Sequence, residues 1–179
     1  AAEGSLRRLG VEAIGLYQHH RPDPDVPYDE TIGALEELLD AGLIQRAGLS
    51  NADPDQIRLA RDILGDGLVS VQNEFSPVFR SSEPELELCH ELGIAFLPWS
   101  PLGGLRRAKD LGGTADIFAG IGEKYDVSPQ RVCLAWMLAK SPVVIPIPGA
   151  SRPRSIQDSA AAPALKLTSE DLATLDATT

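Results

Sequence analysis

Three kinds of side chain in this sequence could do chemistry together: a histidine, a set of short hydroxyl and amide groups, and one small basic cluster. His20 closes the segment AIGLYQHH, Ser50 and Asn51 close RAGLSN, and Gln72 with Asn73 lies in LVSVQNEFSP. Trp99 and Ser100 follow IAFLP, and the run Gly149-Ala150-Ser151-Arg152-Pro153-Arg154 follows PVVIPIP. Hydroxyl and amide side chains together satisfy a ligand group that both donates and accepts hydrogen bonds. An amide in an otherwise apolar strand, as Gln72 is, requires partners. Guanidinium groups in a loop that leads into a helix suit a phosphate. Each feature also has a purely structural alternative. An isolated histidine is more often a satisfied structural residue, and an aromatic at strand spacing is usually core. Ser50-Asn51 ahead of Asp53-Pro54 can simply begin a helix, and arginines can be solvated surface groups. A metal centre is not expected, because His90 reads as helical and neither Cys89 nor Cys133 falls at a strand end. Lys109, Lys124, Lys140 and Lys166 all fall in loops or helices, which offers nothing to a Schiff-base enzyme.

The composition narrows the partners. The chain has 179 residues, 43% of them apolar and 23% charged, the profile of an ordinary globular domain. Sixteen Lys and Arg against 26 Asp and Glu give a net charge of −10, which repels nucleic acid and anionic membrane surfaces. A small anionic ligand would need a local basic cluster, which singles out residues 149–154. No stretch approaches the length of a membrane span, and no apolar leader opens the chain. Two widely separated cysteines fit a reducing, cytoplasmic setting. The acidic run over 29–40 reads as a solvated helix face.

The elements that position these residues alternate. A first helix stops at Gly10, and a strand over 13–20 follows. The next helix has Ile32, Leu35, Leu38, Leu39 and Leu43 inward, with Asp29 as its cap and Gly42 at its end. After the strand RAGLSN, Asp53-Pro54 opens a helix with Ile57, Ala60, Ile63 and Leu64 inward. A strand from about Leu68, a helix stopped by Gly93 and the strand IAFLPWSPLGG come next. Beyond a loop over 106–115, the sequence predicts a helix over IFAGIGEKYD and a second one opened by Ser128-Pro129. A strand over PVVIPIPG, a short helix over 154–160 and a capping box of Thr168 with Asp171 complete the order. Apolar strands alternating with helices make this an α/β chain with parallel strands covered by helices. No G-x-G-x-x-G turn follows any strand. The polar and aromatic residues gather instead at the C-terminal strand ends, where parallel barrels keep their sites.

The segments LYQHHRPD (16–23), AGLSN (47–51), VQNEFSP (71–77), LPWSPLGGL (97–105) and IPIPGASRP (145–153), in this order and at these intervals, resemble the aldo/keto reductase family. The resemblance implies a TIM (β/α)8 barrel, here a partial barrel of strands four to eight forming a single domain over residues 1–179. About the first third of the family's length is then expected to be missing, with its catalytic Asp, Tyr and Lys. Tyr17, Tyr28 and Tyr125 do not match that Tyr.

By the same resemblance the activity is NADPH-dependent reduction of small aldehydes and ketones, with this chain a fragment inactive alone. His20 would orient the substrate carbonyl, with His19 pointing the other way. Ser50, Asn51 and Gln72 would hold the nicotinamide carboxamide, and Trp99 would stack on the ring. Ser100, Leu102 and Gly103 would approach the pyrophosphate. Gly149, Ser151, Arg152 and Asp158 would bind the cofactor at its 2′-phosphate end. The family pattern is incomplete here, since Ser155 stands for a common Arg and Asp158-Ser159 for a common Glu-Asn pair. The alternative is an NADPH-binding regulatory module, like the barrel subunit of potassium channels, which resembles the same family.

Overall fold

Parallel strands need long crossovers, and in the computed structural model, which describes residues 1–103 and 114–178, helices supply them. The order is α1 (Ala2–Leu9), β1 (Tyr17–His19), α2 (Tyr28–Asp40), β2 (Ala47–Ser50), α3 (Pro54–Leu64), β3 (Leu68–Gln72), α4 (Glu83–Leu92) and β4 (Ala95–Phe96). Then follow α5 (Thr114–Tyr125), α6 (Pro129–Lys140), α7 (Pro153–Ala160) and α8 (Ser169–Asp176). Gly104, Leu105 and residues 106–113 of the loop expected over 106–115, Lys109 among them, lie outside the described residues, and Thr114 and Ala115 already belong to α5. The chain forms two compact units, Ala1–Asn73 with Glu87–Phe96 and Glu74–Leu86 with Leu97–Thr179.

The first unit is a four-stranded parallel sheet in the order β1-β2-β3-β4. All of β2 is buried, as expected of a strand covered on both faces. Its helices form by local rules. Asp53 caps α3 by accepting from the Gln56 N–H (2.8 Å), and Gln56 returns the bond to the Asp53 N–H (3.0 Å). Ile57, Ala60 and Leu64 of α3 and Ile32 and Leu35 of α2 are buried, while Leu38 and Leu39 are half-buried. Gly42 ends the α2 turn in the left-handed region (φ 68°), where a side chain is strained.

One row of the sheet is unusually tight. Gln18, Gly48 and Ser70 are register partners, reached by a slip between Ala47 and Gly48 that passes over Val69. A Cβ on Gly48 would lie 2.4 Å from the Ser70 Oγ and 2.9 Å from the Gln18 Cγ. Both Ser70 Oγ and Gln18 Oε1 are buried without a hydrogen-bond partner. The next row on the same face is that of Ser50 and Gln72.

The second unit is organised around Trp136, which stacks on Phe75 (centroids 5.7 Å, 7°) and meets the edge of Phe118 (6.2 Å). Its indole N–H donates to Asp176 (2.8 Å), and the Arg80 and Lys140 cations lie 4.9 and 5.0 Å from its ring centre. Arg80 also donates to the Leu175 and Asp176 carbonyls at the end of α8 (2.9 and 2.8 Å). Ser128 caps α6 through the Arg131 N–H (3.0 Å), and Thr168 and Asp171 form the expected capping box at α8.

Several sequence expectations need correction. No regular strand forms over 142–149, where only Val144 makes a bridge. Pro146 and Pro148 have no N–H to give to a ladder, though the Ile147 N–H still reaches the Pro98 carbonyl (3.4 Å). The first strand shrinks to β1, because pairing at Ile14 with Ile44 is interrupted over Gly15 and Leu16. The fourth shrinks to Ala95–Phe96, with Trp99 bridging separately to Glu74. Pro27, not Asp29, occupies the N-cap of α2, and Asp29 falls in the first turn, where its charge favours the helix dipole.

Gly48→Ala should lower stability by roughly 1–3 kcal/mol in denaturant unfolding, and adding Ser70→Ala should recover part of it by removing the first clash and an unbonded hydroxyl. Equal stability of Gly48→Ala and the parent would contradict the close approach.

Candidate active site

At the C-terminal end of the first unit's sheet, three strand ends are tied to one another by the residues expected there. The Ser50 hydroxyl donates to the Gln72 carbonyl (2.7 Å), and the Asn51 N–H donates to the same oxygen (3.1 Å). The Asn51 amide Nδ2 donates to the His20 carbonyl (2.9 Å) and to the Ser50 Oγ (3.1 Å). Asn51 does this from a left-handed backbone (φ 57°), a conformation Asn tolerates better than most residues. Ser50 and Asn51 therefore bond to the neighbouring strands, and the opening of α3 is left to Asp53. His20 is exposed, Ser50 buried, and Asn51 and Gln72 half-buried. These four residues are brought to one sheet end.

Around them lie groups to which the sequence assigns no role in the site. Asn73 is buried and clamps Ala52, accepting from its N–H (3.2 Å) and donating to its carbonyl (2.8 Å), which fixes the turn after Asn51. His19 packs its ring against Tyr28 (centroids 5.9 Å). Burial first, and the neighbouring His20 second, push the His19 pKa down, so its imidazole stays neutral. Burial, helped by Asp53, pushes Tyr28 up to about 12.

In the second unit, Trp99 is half-buried and pairs with Glu74, and its carbonyl accepts from the Phe75 N–H (3.4 Å). The next residue, Ser100, is left-handed (φ 51°), and its carbonyl accepts from Gly103 (2.9 Å) in a tight turn. Buried Cys133 holds that turn from behind through Pro101 (Sγ to carbonyl 3.4 Å), and burial keeps its thiol protonated. Ser100, Leu102, Gly103 and Gly149 line one cavity of about 230 Å³. Leu102 and Gly149 also line a second, of about 410 Å³, with Ser151, Arg152, Ser155 and Gln130. Gln130 and Ser155 continue into a third, of about 810 Å³, which Arg131, Arg154 and Asp158 also line. The expected residues of this unit thus fall along one run of adjoining cavities, apart from Trp99, which lines none of the three. Glycine, hydroxyl and guanidinium groups open onto the middle cavity, a set suited to a phosphate.

The sequence of this chain matches the aldo/keto reductase family over residues 1–179. The chain belongs to the aldo/keto reductase family. It is 40% identical over 172 residues to an uncharacterized oxidoreductase of Schizosaccharomyces pombe, covering 96% of this chain and 54% of that protein. A probable aldo-keto reductase of Glycine max is 36% identical, with 95% and 56% covered. The chain therefore spans little more than half the length of these relatives. The fold is similar to that of a thermostable aldo-keto reductase crystallised with the inhibitor epalrestat (TM-score 0.89, 30% identity, 99% of this chain and 64% of that one). It is similar also to a Klebsiella pneumoniae aldo-keto reductase in complex with NADPH (TM-score 0.85, 29% identity, 98% and 62%).

In this aldo/keto reductase chain, Asp158 is held closely by its own fold. Its two oxygens accept from the Ser128 hydroxyl and from the Arg131 guanidinium (Nε 3.0 Å, NH2 2.6 Å). Arg131 has no motif of its own; the only sequence hint is its place in the turn that Ser128 caps. Among the described residues, no cluster of three His, Cys, Asp or Glu could hold a metal, and no helix is long and apolar enough to cross a membrane.

Asn51 has two tasks that substitutions separate. Asn51→Gly keeps the left-handed backbone and loses the amide, whereas Asn51→Ala loses both and should cost roughly 1 kcal/mol more in thermal unfolding. Equal losses would contradict the backbone role.

Proposed function

We propose that residues 1–179 are the cofactor-holding part of an NADPH-dependent reductase of small aldehydes and ketones, a partial barrel domain of strands four to eight. The observation that carries the reading is the run of adjoining cavities lined by residues 100–103, Gly149, Ser151 and Arg152. A long anionic ligand fits it. Backbone, hydroxyl and one guanidinium are offered in sequence along the run, in a chain whose net charge of −10 would otherwise repel it. NADPH bound to the neighbouring Klebsiella enzyme supports the choice of ligand. Coverage of 62–64% of those structures by nearly all of this chain supports the strand assignment.

When bound, NADPH supplies the hydride that reduces the carbonyl carbon. The chain's own residues do the rest of the positioning. Ser50, Asn51 and Gln72 take the nicotinamide carboxamide, whose mixed donors and acceptors match theirs. Trp99 stacks on the nicotinamide and selects the face it presents. His20, exposed beside them, donates from its imidazole to the substrate carbonyl oxygen and orients it. Ser100, Leu102 and Gly103 approach the pyrophosphate, Ser151 and Arg152 pair with the 2′-phosphate, and Gly149 and Asp158 line the groove beside them. The proton that completes the alcohol comes from a tyrosine of the preceding strands. The 179-residue chain then binds cofactor without turning substrate over.

Fluorescence titration of the chain with NADPH should show saturable binding, which Trp99→Ala weakens by about 0.5–1.5 kcal/mol, up to roughly tenfold. A chimaera carrying the N-terminal portion of the Schizosaccharomyces pombe relative should oxidise NADPH with an aldehyde, and His20→Ala should abolish most of that turnover. No saturable binding by the chain, or binding without turnover by the chimaera, would overturn the reading.

A further inference from the structure

We infer that Arg131 is a positioning residue for the 2′-phosphate end of the cofactor, acting through Asp158 and not by touching the ligand. The inference rests on the binding reading above and adds to it the device that sets selectivity for the phosphorylated dinucleotide.

The argument begins with how α7 is held. Arg152 is the N-cap residue of this helix, and the helix buries none of its side chains. Ile156, its one large apolar residue, is half exposed (49%). Apolar packing holds the far end of α7, where Ala162 in the following turn is buried and Ile156 and Ala160 share an apolar cavity with Leu134 and Leu138 of α6. It buries no side chain of the first turn, and α7 has no side-chain cap bond at its start. Among the described residues, Asp158 joins α7 to α6 by side-chain bonds, to Ser128 at the N-cap of α6 and to both Nε and Nη2 of Arg131 in its first turn. Both Arg131 nitrogens donate to Oδ1 and the Ser128 hydroxyl donates to Oδ2, so the two partners together fix the direction of the carboxylate as well as its distance.

The consequence appears at the middle cavity. One wall is Gln130, the neighbour of Arg131 in α6, and the other is the loop 149–152 with Ser155 of α7. Its width is the separation of α6 from the start of α7, which the Ser128–Asp158–Arg131 clamp holds. Arg131 does not line this cavity; it lines the larger one beyond it. Breaking the clamp lets α7 shift, and the 2′-phosphate loses the fixed placement of Ser151 and Arg152. NADH, which has no 2′-phosphate, makes no demand on that placement.

The test measures Kd for NADPH and for NADH on the 179-residue chain and on four variants. Arg131→Met and Asp158→Ala should each weaken NADPH about tenfold and leave NADH within about twofold, as should Arg152→Ala, which removes the direct contact. Arg131→Lys, which keeps the charge without the two-nitrogen grip and is the mildest change to the fold, should lose NADPH affinity by a smaller factor. Asp158→Ala separates position from charge. Removing a carboxylate near a phosphate would tighten NADPH if only the local field mattered, whereas loss of the clamp weakens it. Tighter NADPH binding in Asp158→Ala, parallel weakening of NADPH and NADH, or unchanged ratios in Arg131→Met would overturn the inference. If the unmodified chain binds neither dinucleotide, the binding reading itself fails, and the clamp's role falls with it.

Discussion

The Gln72 carbonyl accepts two hydrogen bonds, one from the Ser50 hydroxyl and one from the Asn51 N–H. Those bonds, with the reach of Asn51 Nδ2 to the His20 carbonyl, bind the ends of three parallel strands into one rim. Strand ends are where ladder pairing stops and backbone groups are left over. Here the leftover carbonyls are used as anchors, and the residues that anchor are the same ones proposed to hold the nicotinamide. The cost is a left-handed Asn51, and it is tolerated because three partners hold it. Asn73, clamped to Ala52 on the next turn, keeps that arrangement rigid from behind.

The second unit solves the same problem with different means. Its core is dense, with Trp136, Phe75 and Phe118 in contact and Arg80 fastening the end of α8. The groups proposed to meet the ligand sit on segments outside that core, in the turn after Trp99, the extended run over 142–149 and the start of α7. Polar contacts fix them instead: Cys133 against Pro101, and Asp158 against Ser128 and Arg131. Sites on loops are precise only when such supports exist. A rigid core with hydrogen-bonded rim segments also allows the rim to vary in sequence without loss of the fold.

What the sequence made legible was local. The caps Asp53, Ser128 and Thr168-Asp171 follow short-range rules and form as expected. The apolar runs ending in Ser50 and Gln72 become neighbouring parallel strands. The misread strand over 142–149 has the right hydropathy, but its prolines deny it a ladder, and Asp29 was displaced from its capping role by Pro27. The long-range polar contacts were not legible. Arg131 and Asp158 meet across 27 positions and Arg80 and Leu175 across 95, and neither pair has a local signature. Gln72 was singled out for its side chain, while the structure shows its carbonyl at work, a role any residue type could fill and no sequence pattern reveals.

The central proposal is that the adjoining cavities of the second unit hold a phosphorylated dinucleotide. A backbone-amide NMR titration of the 179-residue chain with NADPH tests it most directly. The account predicts that Gly103, Gly149, Ser151 and Arg152 shift together along a single saturation curve with one Kd. No saturable shift at these residues, or separate curves with different midpoints among them, would contradict it.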